Sequence, residues 1–512
     1  MPGVDPRVVI VGGGHNGLVA AAYLARAGLA VQVFERRPFV GGAATTQEWW
    51  PGFRFMPCAH MVHAIHPKII RDLGLRERGV EFINRPDGYR FWGDGTYVGP
   101  GSVQSARNRA HLWTADERAA SRRYGEFGRS LRRIFAPYRL RVPPSLEEMR
   151  AAIAGTSGAD VLDIALTTRL KVLHASWLPT QALRDLYAPA LAIDGGNPLA
   201  LALAYGAINA PDEETGEAPP NGYVRGGVGA FSDAIAGVAR EHGATIHTDR
   251  SVAQFLVEHG RVSGIRLEGG DQVRADIVLS NLDPKRTFLR LMPPAELTAG
   301  FCRRVATLPT ADSCVKLLAV VSELPRWKDW DGDPDQPSRG AVALQESQAH
   351  LAAIWEDMAA QRPPRAPIIN VAVPSTLDPS LTQPGYHTVS CFIYPAPARL
   401  RGQTWEDARA EMAQRLIDQI TVHAPNFRQS IRHYRLRTPA DLEAEQGLTD
   451  GCITHVAHDG EHLFWNRPLP ELAHYRAPLP GLYLCGASQH PGGEVSGQPG
   501  HNAAQVVLGD LG

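Results

Sequence analysis

An α/β protein built as two interleaved domains is predicted by three features of the 512-residue chain. Between residues 7 and 35 an apolar strand, a glycine cluster, an alanine-rich helix and a second strand follow one another without a gap. Glycine-rich strand and helix patterns of the same kind return near residues 226–281 and 481–508. A chain of this length also exceeds what one simple core supports, so a second domain is expected between those pieces.

The first strand is read from Val8-Val9-Ile10-Val11, apolar and β-branched as a buried parallel strand requires. Gly12-Gly13-Gly14-His15-Asn16-Gly17 follows at once and contains a GxGxxG at Gly12, Gly14 and Gly17. Leu18 to Ala27 has no proline and stops at Gly28, as a helix would. Val31 to Phe34 is a second apolar run and ends at the acidic Glu35. Each part has a physical task. Gly12 makes the tight turn, Gly14 lets backbone N–H groups reach a pyrophosphate, and Gly17 brings helix and strand together. The helix N-terminus, with His15 and Asn16 in the same turn, offers unpaired donors and partial positive charge to the phosphates. Glu35 is placed to accept from a ribose diol. A glycine-rich turn without a ligand does not account for all five parts in order. The unit reads as a Rossmann-like dinucleotide site of the glutathione reductase type.

The next residues favour one dinucleotide. Arg36-Arg37-Pro38-Phe39-Val40-Gly41-Gly42-Ala43 places a second glycine pair directly after the acid. A nicotinamide-binding fold has no need of it, whereas the longer, extended FAD requires a second close backbone approach on the way to its ring. Arg36, following the acid, can cover the adenine or its ribose. FAD is therefore the expected cofactor, with Gly41, Gly42 and Ala43 beside it.

Composition sets further bounds. Apolar residues make up 44% and charged residues 21%, as in an ordinary globular protein. A net charge of −1 leaves no basic footprint, so nucleic acid is not an expected partner. Six cysteines lie far apart with no CxxC, which argues against a dithiol redox pair and a zinc ribbon and suits a reducing compartment. No apolar run reaches the length of a bilayer span, the richest, Leu199 to Ile208, having about half of it. The first strand starts too close to Met1 for a secretory leader. A cytoplasmic protein is expected, with peripheral membrane contact through an apolar lip left open.

Beyond Ala43, His60, His63 and His66 recur at three-residue spacing and would share one side of a helix. Without a paired carboxylate they do not make a metal site, so no metal is expected and His60 is assigned to the flavin cavity. Residues 76 to 219 alternate charged helical stretches, such as the arginine-rich Leu112 to Ala136, with proline-rich breaks. Asp212 to Pro220 reads as a loop or domain crossing. Gly226-Gly227-Val228-Gly229, a helix over Ala230 to His242 and a strand over Gly243 to His247 bring back the nucleotide-fold pattern. Val252 to Val257 and Val262 to Leu267 read as strands turned at His259-Gly260, and Ala275 to Asn281 as another buried strand.

Residues 290 to 470, with strands such as Val315 to Val321 and His387 to Tyr394, read as a sheet roofing a substrate cavity. Last, a strand over Gly481 to Gly486 leads through the glycine-rich Ala487 to Asn502 into a helix over Ala503 to Leu508. Glycines there would let backbone lie against a flat ring, with the helix N-terminus stabilising negative charge on the reduced flavin. The FAD-binding domain is thus expected from residues 1–75, 220–290 and 471–512, and a mixed α/β substrate domain from 76–219 and 291–470.

Taken together these stretches resemble a flavoprotein of the phytoene desaturase and amine oxidase superfamily, in the branch named for pyridine nucleotide-disulfide oxidoreductase domain-containing protein 2. VVIVGGGHNGLVAAAYLARAG, FERRPFVGGAATT, YVRGGVGAFSDAIA, TPADLEAEQGLTDGCITH, NRPLPELAHYRAPLPGLYLCGASQHPGG and GQPGHNAA carry the similarity over the full length. The resemblance implies that Gly12, Gly14 and Gly17 hold the pyrophosphate, Glu35 the adenosine ribose, and Gly41, Gly42 and Ala43 the ribityl chain. It implies that Val252 meets the adenine through its backbone. Gly486 and the Gly497–Asn502 turn, with Gly500, His501 and Asn502, would hold the isoalloxazine end. The "disulfide" of the branch name finds no CxxC here. Where the branch usually runs His-Pro-Gly-Gly-Gly, this chain has His490-Pro491-Gly492-Gly493-Glu494. That carboxylate reads as a base, as a substrate anchor, or as turned to solvent.

The activity so implied is that of an FAD-dependent dehydrogenase or oxidase. It would take a hydride from a largely apolar small molecule to flavin N5, a neighbouring group or water taking the proton. His60, His455, His490 and Glu494 are the polar candidates near the ring, His455 because Gly451 to His455 matches a segment that borders the cavity in this branch. A flavin-dependent isomerase or saturase, and a non-catalytic FAD-stabilised binding module, are the other two readings. Oxygen, a quinone or another protein are candidate electron acceptors, and neither these, the substrate nor an oligomeric state is separated by sequence.

Overall fold

The computed structural model describes residues 7–92, 94–99, 107–109, 113–188, 210–311, 313–344 and 347–512. The first six residues, Leu112 and the apolar run Leu199 to Ile208 lie outside them. Strand β1 (Arg7–Val11) is the centre of a five-stranded parallel sheet. On one side lie β2 (Ala30–Phe34) and then Thr245–His247; on the other lie Ile277–Ser280 and then Leu482–Leu484. Val8, Val9, Ile10 and Val11 are all buried, because an all-parallel sheet is covered on both faces. That is why the strand reads as an unbroken apolar run.

Helix α1 (His15–Arg26) covers one face and buries every residue from His15 to Ala25. It packs against the helices Gly229–Glu241 and Gln498–Leu511, and Ala20-Ala21-Ala22 allow the close approach. One core therefore unites residues from distant stretches of the chain. The strands Val252–Glu258, Arg261–Leu267 and Gln272–Arg274 form a separate antiparallel sheet. His259 and Gly260, both at positive φ, make its first turn.

A seven-stranded sheet forms the second layer. Its order is Ile431–Arg437, Val315–Val321, His387–Ile393, Ile369–Ala372, Ala341–Leu344, Tyr89–Phe91 and Tyr97–Val98. Val315–Val321 is buried throughout. Leu317, Ala319 and Val321 meet the long helix Trp405–His423, while Leu318 and Val320 meet Phe53 and Phe55. The helices Ala115–Phe135, Leu146–Ile153, Ser157–Thr167, Leu170–Trp177 and Gln181–Tyr187 share their own cluster around Tyr124, Leu131 and Phe135. Among the described residues no helix is long and apolar enough to cross a membrane.

The structure departs from the sequence reading in three places. Residues 76–219 hold strands as well as helices: Phe82–Asn84 pairs with Gly222–Val224, and Tyr89–Phe91 and Tyr97–Val98 extend the large sheet. Runs of two or three residues are too short to show an alternation. No helix spans His60 to His66 either. Helix α2 (Pro67–Asp72) begins only after His66, whose Nδ1 accepts from the Lys68 N–H at 3.2 Å. Pro67 is a favoured first helical residue and pushes His66 out of the helical region, so the three histidines do not share a helix face. Finally, the last helix starts at Gln498 and absorbs the residues read as a Gly497–Asn502 turn. Gly497 takes the left-handed φ of +70° at its cap, and Pro499 needs no N–H in the first turn.

Candidate functional site

The glycines of the first turn interlock. Gly12, at φ +97°, donates its N–H to Phe34 O at 2.8 Å and so closes β1 onto β2. A Cβ on Gly17 would lie 2.5 Å from Gly12 O, which is why helix and strand can touch here. A Cβ on Gly14 would lie 2.7 Å from Asn281 Nδ2, and one on Gly42 would lie 2.8 Å from Gly14 Cα. Gly41 donates its N–H to Gly13 O at 2.8 Å. The two glycine pairs thus form one cradle with no room for side chains. Glu35 is buried beside it, Oε2 accepting from the Gly13 N–H at 2.9 Å and Oε1 from the Arg37 N–H at 3.0 Å. Arg37 Nε also stands 3.5 Å from Oε1, so Oε2 is the oxygen that keeps a lone pair for a further donor.

The cradle opens into a cavity of about 310 Å³. Gly12, Gly14, His15, Asn16, Glu35, Gly42 and Ala43 form one part of its wall. Cys58, His60, Met61 and His63 continue it, and Cys314 and Phe392 come down from the large sheet as the expected roof. Gln446, Ile453 and His455 close another side, and Glu494 and Val495 enter from the C-terminal loop. Of the four polar candidates expected near the ring, His60, His455 and Glu494 are brought to this wall together.

Others stand elsewhere. Gly17, Gly41, Val252, Gly486, Gly497, Gly500, His490, His501 and Asn502 are not among the described lining residues. Their places have clear packing reasons. A Cβ on Gly486 would lie 2.8 Å from Asn281 O and one on Gly500 2.0 Å from Asn16 O. His501 packs edge-on to Tyr23 at 4.9 Å, and the Asn502 amide donates to Arg139 O at 2.9 Å. His490 donates from Nε2 to Tyr138 O at 2.8 Å and is buried. Arg36 also turns away, donating to Ala444 O and Glu445 O. Arg37 takes the wall instead, stacked over Phe39 and bonded to Gly42 O at 2.9 Å.

Electrostatics sort the polar wall. Burial holds His15 down at about 4, with the nearby His455 adding to it and a hydrogen bond to the Glu494 backbone opposing it. Burial likewise lowers His455 to about 4, and burial with the Lys316 charge puts His60 well below the usual range. These three imidazoles are neutral at pH 7. His63 differs: burial would lower it, but the Glu494 carboxylate 3.1 Å from its Nε2 raises it. Burial would raise Glu494, yet His63 and then His458 bring it down to about 2. His63 was visible in the sequence as part of a histidine triplet, but only folding pairs it with a residue from the other end of the chain.

Buried polar atoms on this wall lack partners. Among the described residues, His15 Nε2, Asn16 Oδ1, Arg37 Nη1, His63 Nδ1 and His455 Nδ1 have no hydrogen-bond partner. Buried polar groups are ordinarily paired, so unpartnered donors and acceptors around a glycine cradle fit a polar ligand lying along it. All six cysteines are free, and burial raises the Cys58 and Cys314 thiols above their ordinary range, so neither is primed as a thiolate.

Lys316, which periodicity concealed inside an apolar strand, is buried behind the cavity and donates to Met56 O at 2.9 Å and Cys58 O at 2.6 Å. It thereby fixes the segment that carries His60. Burial lowers it from 10.5 to about 8. Between those values the unfolded chain holds a proton that the folded protein has released, so this residue makes stability rise with pH across that window. Lys316→Met is expected to erase this contribution, measured as the difference in urea midpoint between pH 8 and pH 10.5 relative to the unaltered protein. It should also cost about 1–3 kcal/mol at neutral pH for each carbonyl left without a donor, offset in part by the relieved burial of charge.

Comparison with known proteins agrees with this geometry. Residues 10–73 match the NAD(P)-binding Rossmann-like domain family. The chain is 35% identical over 552 aligned residues to the rat pyridine nucleotide-disulfide oxidoreductase domain-containing protein 2, covering 98% of this chain and 93% of that protein. It is 26% identical to a limonene dehydrogenase polypeptide of Castellaniella defragrans, covering 99% and 95% of the two chains. Among solved structures, cyclohexylamine oxidase from Brevibacterium oxydans shares the fold with a TM-score of 0.61 at 16% identity, covering 99% of this chain and 100% of that one.

Proposed function

The chain is an oxidoreductase that belongs to the pyridine nucleotide-disulfide oxidoreductase domain-containing protein 2 family, and from that membership we propose that it binds FAD and dehydrogenates a largely apolar small molecule. The observation that carries this reading is the double glycine cradle. Gly14 and Gly42 meet with no space for a side chain, Glu35 stands beside them, and the cradle runs directly into a cavity with an apolar lining. A single glycine turn suits any dinucleotide, whereas the second pair supports the longer one. Gly12, Gly14, His15 and Asn16 would hold the pyrophosphate, Glu35 the adenosine ribose, and Gly42 with Ala43 the chain toward the ring. When bound, the flavin supplies an acceptor for an electron pair and a hydrogen.

The protein's own residues have simpler tasks. Met61, Cys314, Phe392, Ile453 and Val495 keep the cavity apolar and exclude water from the reacting bond. His60 and His455, neutral at pH 7, can orient a substrate without adding charge. That the limonene dehydrogenase polypeptide is similar along its whole length supports an apolar substrate.

The purified protein is expected to take up FAD, and its flavin absorbance to bleach under anaerobic conditions with one of several pools of apolar compounds. Bleaching that needs an added reductant, with no net oxidation of substrate, would replace dehydrogenation by saturation or isomerisation. A protein that cannot take up FAD would overturn the proposal.

A further inference from the structure

We infer that His63 and Glu494 form the proton-accepting dyad of the cavity, and that the substrate presents an O–H or N–H on the carbon that is oxidised. This deepens the dehydrogenase reading and rests on it. His63 Nε2 and Glu494 Oε2 lie 3.1 Å apart on the cavity wall, with 31% and 39% of the two side chains accessible. Apart from Glu35 and Arg37 beside the cradle, they are the carboxylate–base couple among the described lining residues. Phe392, Ile453 and Val495 line the same cavity. A substrate that is hydrocarbon throughout would strip water from this couple and return no hydrogen bond, at a cost in binding. A substrate with one polar hydrogen would not.

Glu494 is also held in a costly conformation. It sits at φ +67°, where residues other than glycine are strained, and strain of that kind collects at functional sites. Its place is over-determined by neighbours. The Gly493 N–H donates to His458 Nε2 at 3.1 Å, a Cβ on Gly493 would lie 2.7 Å from Thr454 Cγ2, and the His15 ring bonds the Glu494 backbone. The loop therefore presents this carboxylate to His63 from a rigid seat.

The chemistry balances as follows. With FAD bound as the two-electron acceptor, the substrate C–H bond would break and its hydrogen would leave with the electron pair. The O–H or N–H bond breaks and its electron pair forms the second bond from carbon to the heteroatom. The released proton goes to His63 Nδ1, a buried ring nitrogen with no hydrogen-bond partner among the described residues, because the Nε2–H of the neutral ring is the one that faces Glu494. This turns a neutral imidazole beside a carboxylate into an imidazolium–carboxylate pair, and water later carries the proton away. The dyad accepts only while His63 is neutral. Glu494 holds His63 protonated to higher pH, while burial and the Arg85 charge act the other way. His458 faces Glu494, and His60 on the same segment stays neutral. The rate is thus expected to rise with pH through a value above the ordinary 6.5 of histidine. Without Glu494, burial and Arg85 are unopposed and the rise moves below it.

The test uses the full-length FAD-loaded protein, anaerobic stopped-flow absorbance, and matched series of alcohols, amines and hydrocarbons. Either the alcohols or the amines should reduce the flavin, which tells O–H from N–H, and the matching hydrocarbons should not. Glu494→Gln should shift the rise to lower pH, and His63→Gln should abolish it and slow reduction by about 10²–10⁴-fold. NMR titration of the His63 ring without substrate should show the same downward shift in Glu494→Gln, whatever the activity. Hydrocarbons that reduce the flavin as well, or a rise unmoved in both variants, would overturn the dyad while leaving the dehydrogenase. A protein that binds FAD but is reduced by no series would overturn both.

Discussion

Gly14→Ala protein is expected to fold and yet to hold FAD at least about 100-fold more weakly, a loss of about 2.7 kcal/mol. The added methyl would lie 2.7 Å from Asn281 Nδ2 and 3.6 Å from Gly42 Cα, at the point where the two glycine pairs meet. The Asn281 amide, which donates to Gly12 O at 3.2 Å, is a side chain and can yield. Stability therefore suffers little. The space it would yield into is the cradle itself, so the ligand bears the cost. Flavin fluorescence titration measures the affinity, and the urea midpoint of ligand-free protein checks that the fold survives. Equal affinity in both proteins would remove the cradle from the cofactor site.

The opposite pattern is expected at Gly500. A Cβ there would lie 2.0 Å from Asn16 O, a backbone carbonyl on the first turn of α1 that cannot rotate aside. Gly500→Ala must push the C-terminal helix off α1, at a cost of about 3 kcal/mol, near the upper end for overpacking. The loss should appear in the denaturation midpoint of ligand-free protein, before any cofactor is added. A midpoint within error of the unaltered protein would mean that the two helices have room to separate.

These two glycines look alike in sequence, since both lie in glycine-rich stretches at a helix start. Folding gives them different work. Local physics made much of the fold legible in advance. Val8–Val11, the GxGxxG and Glu35 each follow from the conformational needs of a few adjacent residues, and Val315–Val321 and His387–Ile393 from short alternating runs rich in apolar residues. Elements of two or three residues were not legible: Phe82–Asn84 rests on a partner far along the chain, and Tyr97–Val98, though paired with the nearby Tyr89–Phe91, is too short to show an alternation.

The amino-acid sequence by itself determined the dinucleotide strand–turn–helix, the second glycine pair, and His60, His455 and Glu494 as polar candidates. Only the tertiary structure decided which of the candidates meet. It carried His490, His501 and Asn502 into packing positions, set Arg37 rather than Arg36 on the wall, buried Lys316 beneath the His60 segment, and placed His63 3.1 Å from Glu494. The physical reason is separation along the chain. A turn or helix is settled by neighbours a few residues apart, whereas a cavity wall is settled by which distant segments the core brings side by side.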